Sequence, residues 1–211
     1  IIRHPGAHVL LLLPALLISA WALRLGGYLF VRILAMGRDE RFDHMHKAPS
    51  KFAGFWLLQG VAVWIISIPG SIFYARQSAT YDLWQILTGS ALWLLGFLLE
   101  TVSDYQKFRF KKQNPSRWID TGLWKYARHP NYCGEILAWW GIYILTIDLT
   151  GMWWLLSLIG PVFITILLLF VSGIPILEKK HDEKYGADPA YQRYRENTPM
   201  FFIPLKRRKN D

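Results

Sequence analysis

The sequence predicts an all-α fold: a polytopic membrane bundle of about five transmembrane helices with a cytoplasmic C-terminal tail. Three observations predict it. Of 211 residues, 53% are hydrophobic and 16% aromatic, and only 18% are charged, against roughly 25% in an average soluble domain. Apolar runs recur at the length that crosses a bilayer core, about 20 residues per helix. The formal charge of +9 lies between and after these runs, which is the pattern of membrane orientation. A nucleic-acid partner is therefore not expected.

The spans follow in order within a single domain, 1–211. The first runs from about His8 to Ala35, the second from Phe52 to Ala75 and the third from Leu83 to about Val102. The fourth covers about Tyr132 to Ile147, and the fifth covers Met152 to Leu177. Pro14, Pro69 and Pro161 should kink or end their helices, since each removes a donor and crowds the preceding turn. Pro175 should bend the end of the fifth span. Lys and Arg set the orientation. The first connection holds Arg38, Arg41, Lys47 and Lys51. The third runs from Lys107 through Lys111, Lys112, Arg117 and Lys125 to Arg128, and the tail ends in Lys206-Arg207-Arg208-Lys209. The second connection has only Arg76, and the fourth has no basic residue. The cation-rich face should be cytoplasmic, in a bacterial inner membrane or the endoplasmic reticulum. The single cysteine, Cys133, excludes a disulfide framework and a cysteine-based metal site. His44 and His46 stand in no metal-ligand pattern, so no metal is expected. There is no Gly-rich phosphate loop and no nucleophile elbow. The chain opens Ile1-Ile2-Arg3, and upstream residues are expected to be missing.

Polar groups inside or beside these runs are the candidates for function. Trp21, Arg24, Tyr28 and Arg32 share one face of the first span. Two arginines there require partners or an anionic ligand, although Arg32 is close enough to the end to snorkel. Glu100, Ser103, Asp104 and Lys107 form a stripe on the third span. It is either a helix-end charge network or a set of acceptors for a ligand's hydroxyls or amide. The densest segment is Arg128-His129-Pro130-Asn131-Tyr132-Cys133-Gly134-Glu135. Pro130 suits a helix start and Glu135 its macrodipole, yet Arg128, His129, Asn131 and Glu135 together exceed what capping requires. Lys111, Lys112, Arg117 and Arg128 suit phosphate, or equally anionic lipid headgroups. Tyr185, Tyr191, Tyr194, Phe201 and Phe202 alternate with charges in the tail, as in a segment folding back on the cytoplasmic mouth. Glu178, Lys179, Lys180 and His181 follow the fifth span at that same level.

Four stretches, taken together, resemble a known family. They are Trp21-Ala22-Leu23-Arg24-Leu25-Gly26 with Gly37-Arg38-Asp39; Ser103-Asp104-Tyr105-Gln106-Lys107; Gly122-Leu123-Trp124-Lys125-Tyr126 running into the Arg128–Glu135 segment; and Ser172-Gly173-Ile174-Pro175 with Tyr191 to Tyr194 and Phe202-Ile203-Pro204. In order and spacing they resemble the steroid 5-alpha-reductase superfamily, most nearly its bacterial-type branch carrying a steroid-reductase C-terminal domain. The resemblance implies an NADPH-dependent oxidoreductase acting on a carbon–carbon double bond of a lipid or steroid-like enone. It implies that Asp104, Asn131 and Glu135 hold polar groups of the dinucleotide, while Lys111, Arg117, Arg24 and Arg38 meet phosphates. Arg128, His129 and Tyr132 belong to the same implied cofactor site, and Tyr194 closes it from the tail. The implied partners are the bilayer and a hydrophobic small-molecule substrate.

The chain departs from that family in two ways. The family has seven spans; the five expected here match its last five, so its N-terminal helices are expected to be absent. The family's proton-donating tyrosine falls near Trp21, and Tyr28, on the same face, is the possible substitute. Gln59 resembles a glutamine of a middle helix and is not assigned to catalysis. Two alternatives stay open. One is a methyltransferase that uses S-adenosylmethionine, since isoprenylcysteine carboxyl and phospholipid methyltransferases share an Arg-His-Pro-x-Tyr-x-Gly pattern. The other is a non-catalytic scaffold or lipid binder. Cations beside the motif favour a cofactor with phosphates.

Overall fold

The computed structural model describes residues 7–36, 49–76 and 82–202, and every described element is helical. Among the described residues nine α-helices follow one another: α1 Ala7–Met36, α2 Pro49–Ile66, α3 Ile68–Arg76, α4 Leu83–Gln113, α5 Pro130–Thr146, α6 Trp153–Ser157, α7 Ile159–Ile166, α8 Ile174–Tyr185 and α9 Pro189–Asn197. Among the described residues, three helical stretches are long and apolar enough to cross a membrane: Leu11–Ala35, Leu83–Gln113 and Trp153–Tyr185. A fourth is added if α2 and α3, bent by 52° at their junction, count as one span. The chain is thus an integral membrane protein with three or four candidate spans, where the apolar runs had led us to expect five. The fourth expected span is α5, which has 17 residues. At 1.5 Å per residue that is about 25 Å, short of the roughly 30 Å hydrocarbon core.

The chain divides into two compact units. The first comprises 1–91 and 139–163, and the second comprises 92–138 and 164–211.

In the first unit, α1 keeps Pro14 inside a 30-residue helix. Proline disturbs the helix ladder around it, and here a side chain repairs the damage. The Tyr74 hydroxyl accepts from Ala15 N at 3.0 Å and donates to Leu11 O at 2.8 Å, bridging that turn. Pro69 breaks the second expected span as anticipated. Ser67 bonds Val63 O through both N and Oγ, at 3.1 and 2.8 Å, and the axis turns there. Gly160 lets α7 approach the bend, since a Cβ there would stand 2.7 Å from Pro69 Cδ. Trp21 and Trp139 meet edge to face at 5.0 Å, both buried. Leu23, at 78% exposure, shows the apolar surface that α1 offers to lipid.

In the second unit, α4 and α5 cross backbone to backbone. A Cβ on Gly134 would lie 2.5 Å from Glu100 N and 2.6 Å from Gly96 O. Only glycine permits such an approach, as small residues do wherever membrane helices pack tightly. The fifth expected span is not a straight rod. A π-helical turn, Leu167–Val171, interrupts it, and α8 restarts at the Ile174-Pro175 step after Gly173. Trp118, Tyr185 and Tyr191 form an aromatic cluster, with Tyr194 packed against it.

Candidate functional site

The site belongs to the second unit and is organised by the Gly96–Gly134 crossing. That crossing turns the α4 stripe inward: Glu100, Ser103 and Asp104 are 3%, 0% and 6% exposed. One turn of α5 faces it. Asn131 Nδ2 donates to Asp104 Oδ1 at 3.2 Å. The amide must point this way, because the reverse would set its oxygen against a carboxylate. Asn131 Oδ1 is then left buried without a partner among the described residues.

The 3-10 turn Gly122–Lys125 lies beneath the same end of α4. Leu123 N donates to Gln106 Oε1 at 2.9 Å, and Trp124 Nε1 donates to Ser103 O at 3.0 Å. Gly122 sits at φ 61 against the Gln106 amide, a conformation and a closeness that only glycine accepts. The tail covers this turn. Tyr194 Oη donates to Trp124 O at 2.7 Å. Arg128 N and His129 N donate to Pro199 O and Met200 O at 2.9 and 3.2 Å.

Glu178 of α8 ties the motif to the tail. Its Oε2 pairs with Arg128 Nη1 and its Oε1 with His129 Nε2, each at 2.6 Å. Arg195 of α9 stands 3.7 Å from the same carboxylate and 3.0 Å from Asp182. His129 is 1% exposed and stacks on Tyr132 at 5.9 Å. Burial pushes the imidazole below its ordinary value, outweighing the nearby Glu178, and Lys107 and Arg128 add to the lowering. His129 is therefore neutral at pH 7, with its proton on Nε2 toward Glu178 and a lone pair on Nδ1. That Nδ1 is buried without a partner among the described residues. In the tail, burial raises both Tyr191, to about 12, and Tyr194, so neither phenol ionises near neutrality.

A narrow cleft with about 20 Å³ of free volume opens among these groups, lined by Lys107, Lys111, Arg128, Glu178, His181 and Tyr194, with tryptophans behind them. Lys111 Nζ donates to Arg117 O and to Tyr185 Oη, at 2.5 and 2.8 Å, and Lys107 Nζ lies 4.8 Å over the Trp124 ring. Trp118 Nε1 and Arg128 Nε are buried donors without partners among the described residues.

The expected site residues therefore separate. Asp104 and Asn131 meet directly, and Arg128, Lys111 and Tyr194 share the cleft wall. His129 and Tyr132 stack behind it, and Glu135 is half-buried one turn further along α5. Arg117 is exposed and paired with Asp120 at 3.1 Å, so its side chain does not line the cleft. Arg24 and Tyr28 belong to the first unit, where the guanidinium lies 5.8 Å from the ring centroid. Arg38 lies outside the described residues, as do His44, His46 and the basic run 206–209. Two residues gain importance that their sequence positions did not give them. Glu178 is the hub, and His181 lines the cleft. The available signal was an acidic residue and a histidine directly after an apolar run.

The resemblance implies a dinucleotide, and the orphaned atoms test whether one fits. Asn131 Oδ1 beside Asp104 calls for donors, such as a carboxamide or ribose hydroxyls. Trp118 Nε1 and the cleft cations call for an anion. A phosphorylated nucleotide carries both, so these residues fit it. The match is one of lining chemistry: with about 20 Å³ of free volume the cleft is far smaller than a small-molecule site, so its walls would have to part to admit a nucleotide.

Fold and site together define an integral membrane protein with a buried polar site at one end of its helices. The chain matches, over residues 2–198, the family described as "Protein of unknown function (DUF1295)", and it belongs to that family. It is also similar to the 3-oxo-5-alpha-steroid 4-dehydrogenase 1 of Bos taurus, 34% identical over 85 residues. That stretch is 37% of this chain and 33% of that enzyme, so the match spans about a third of the relative's length. No solved structure matches the chain. The relationship read from the motifs thus has support over part of the chain.

Proposed function

We propose that this protein is a membrane-embedded, NADPH-dependent reductase of a carbon–carbon double bond in a lipid or steroid-like enone. The observation that carries the proposal is the pairing of buried acceptors, Asp104 and Asn131 Oδ1, with a lysine-lined cleft in the same unit. The partial likeness to a 3-oxo-5-alpha-steroid 4-dehydrogenase supports the reaction class. S-adenosylmethionine has no phosphates and offers the cleft's lysines a single carboxylate, so the cationic lining suits a phosphorylated cofactor better.

In this reading the basic face and the tail are cytoplasmic, and a hydrophobic substrate enters from the bilayer. Asp104, Asn131 and Glu135 accept from the cofactor's amide and hydroxyls, while Lys111 and Arg128 balance its phosphates. Arg38 is proposed for the same task. His129 and Tyr132 hold the start of α5 in place, and Tyr194 keeps the tail closed over Trp124, excluding water. When bound, NADPH supplies the hydride that the enone accepts at its β-carbon. The Tyr28 phenol would donate a hydrogen bond to the enone oxygen and so hold the developing negative charge, and a proton from solvent, taken up at the α-carbon, would complete the saturated product.

The test is thermal denaturation in mild detergent with NADPH, NADH or S-adenosylmethionine. A ligand present at a hundred times its Kd adds about 2.7 kcal/mol. Stabilisation by NADPH that is lost in Asp104→Ala supports the proposal. Stabilisation by S-adenosylmethionine alone replaces it with the methyltransferase, and no shift with any of the three favours a scaffold. Full turnover by Tyr28→Phe, once a substrate is found, removes Tyr28 from the scheme.

A further inference from the structure

A second cleft lies wholly within the first unit, at the opposite end of α4 from the lysines. It offers about 620 Å³ of open space between Arg76 of α3, Asp82 and Gln85 at the start of α4, and Asp148 and Thr150 after α5, over a floor that includes Phe73. Nothing in the reductase reading uses it.

Its polar walls are mostly satisfied by one another. Arg76 Nε pairs with Asp148 Oδ2 at 2.9 Å, and Nη2 donates to Thr150 Oγ1 at 3.3 Å. Asp148 Oδ1 accepts from Thr150 N at 2.8 Å. Gln85, buried, accepts from Asp82 N at 3.0 Å and donates to Ile147 O at 2.6 Å. Two groups keep unspent capacity among the described residues. Arg76 Nη1 retains its N–H donors, and Asp82 Oδ1 remains an acceptor because Oδ2 alone takes Trp84 Nε1, at 3.3 Å.

These two groups limit the ligand. A simple anion would meet two carboxylates beside one guanidinium, and a simple cation would meet Arg76. A zwitterion satisfies both, with its anionic part on Arg76 and its cationic part on Asp82. The rim adds a second requirement. Trp84, Leu149, Met152 and Trp153 are 48%, 64%, 72% and 43% exposed, an aromatic and apolar border at the end of the membrane helices. Tryptophan takes that place at the level of lipid headgroups. The occupant therefore carries apolar chains as well as a zwitterionic head.

We propose that this cleft binds the headgroup of a zwitterionic aminophospholipid, with its phosphate on Arg76 and its primary ammonium on Asp82. A primary ammonium donates hydrogen bonds to Asp82, whereas the quaternary ammonium of phosphatidylcholine has no N–H to give. Phosphatidylglycerol lacks the cation altogether.

The test uses the full chain in mild detergent, titrated with phosphatidylethanolamine, phosphatidylcholine or phosphatidylglycerol and followed by thermal shift. Phosphatidylethanolamine should act at about tenfold lower concentration than either of the others, the worth of one charge-assisted hydrogen bond. Asp82→Asn keeps an acceptor for Trp84 and should abolish that preference while leaving any NADPH shift intact. Arg76→Gln should weaken the response to all three lipids. Equal responses to the three lipids, a preference for phosphatidylglycerol, or an Asp82→Asn variant that still prefers phosphatidylethanolamine would each overturn the proposal. A response to soluble O-phosphoethanolamine but to no lipid would overturn the lipid assignment.

Discussion

Replacing Glu178 by alanine tests the central contact of the site. The carboxylate holds Arg128 and His129 at 2.6 Å each, and the Glu178, Arg128 and His129 side chains are 15%, 12% and 1% exposed. Breaking a buried ion pair from one side costs about 3–5 kcal/mol, because the other charge stays buried and alone. Residual exposure of Arg128 lets water recover part of that, so we expect about 3 kcal/mol. For a chain of this size each kcal/mol moves Tm by about 2–4 °C, which gives a fall of about 6–12 °C. The assay is thermal unfolding in detergent read by a thiol-reactive fluorophore, since Cys133 is the single cysteine and is only half-exposed while folded. If charge left unpaired is the cause, the double change Arg128→Met with Glu178→Leu should regain at least half the loss. A Glu178→Ala protein that unfolds within about 2 °C of the parent by that scaling would refute the reasoning.

Three further outcomes can be measured on the same sample. His129 has a folded-state pKa below its ordinary 6.5 because of burial. Below pH 6.5 the unfolded chain therefore binds a proton that the folded chain refuses, and stability drops as pH falls toward the folded value; His129→Gln should flatten the Tm–pH curve in that window. Gly134→Ala places a Cβ 2.5 Å from Glu100 N, and prying α4 from α5 should cost about 1–3 kcal/mol and any nucleotide binding that depends on Asp104 and Asn131. Tyr194→Phe removes the 2.7 Å bond to Trp124 O; about 1 kcal/mol should be lost, and limited proteolysis should cut the tail sooner.

Helical class and most element positions were legible because apolar runs of bilayer length leave no other structure free of unpaired backbone groups. The break at Pro69 was legible as well, from the missing donor. The π turn at Leu167–Val171 was not, because nothing in that apolar run marks it, although Pro175 had marked a bend at the end of the span. The number of crossings was less legible: α5 has the composition of a span, and its 17 residues, from Pro130 to Thr146, are at the lower limit of length for one. Local pattern also says nothing about a partner 49 residues away. His129 and Arg128 read as groups awaiting a ligand, whereas Glu178 already occupies them.

That occupation divides the eight-residue segment into two working halves. Arg128 and His129 are bound to Glu178 through their side chains and to Pro199 and Met200 through their backbones, so they fix the tail. Asn131 and Gly134 face α4 instead, one donating to Asp104 and the other setting how closely the helices approach. Substitutions in the first half should therefore loosen the tail and lower Tm while leaving the Asp104–Asn131 acceptors in place. Substitutions in the second half should disturb those acceptors first. Pro130 stands at the junction as the first residue of α5, where its fixed φ suits a helix start and holds the two halves at one angle.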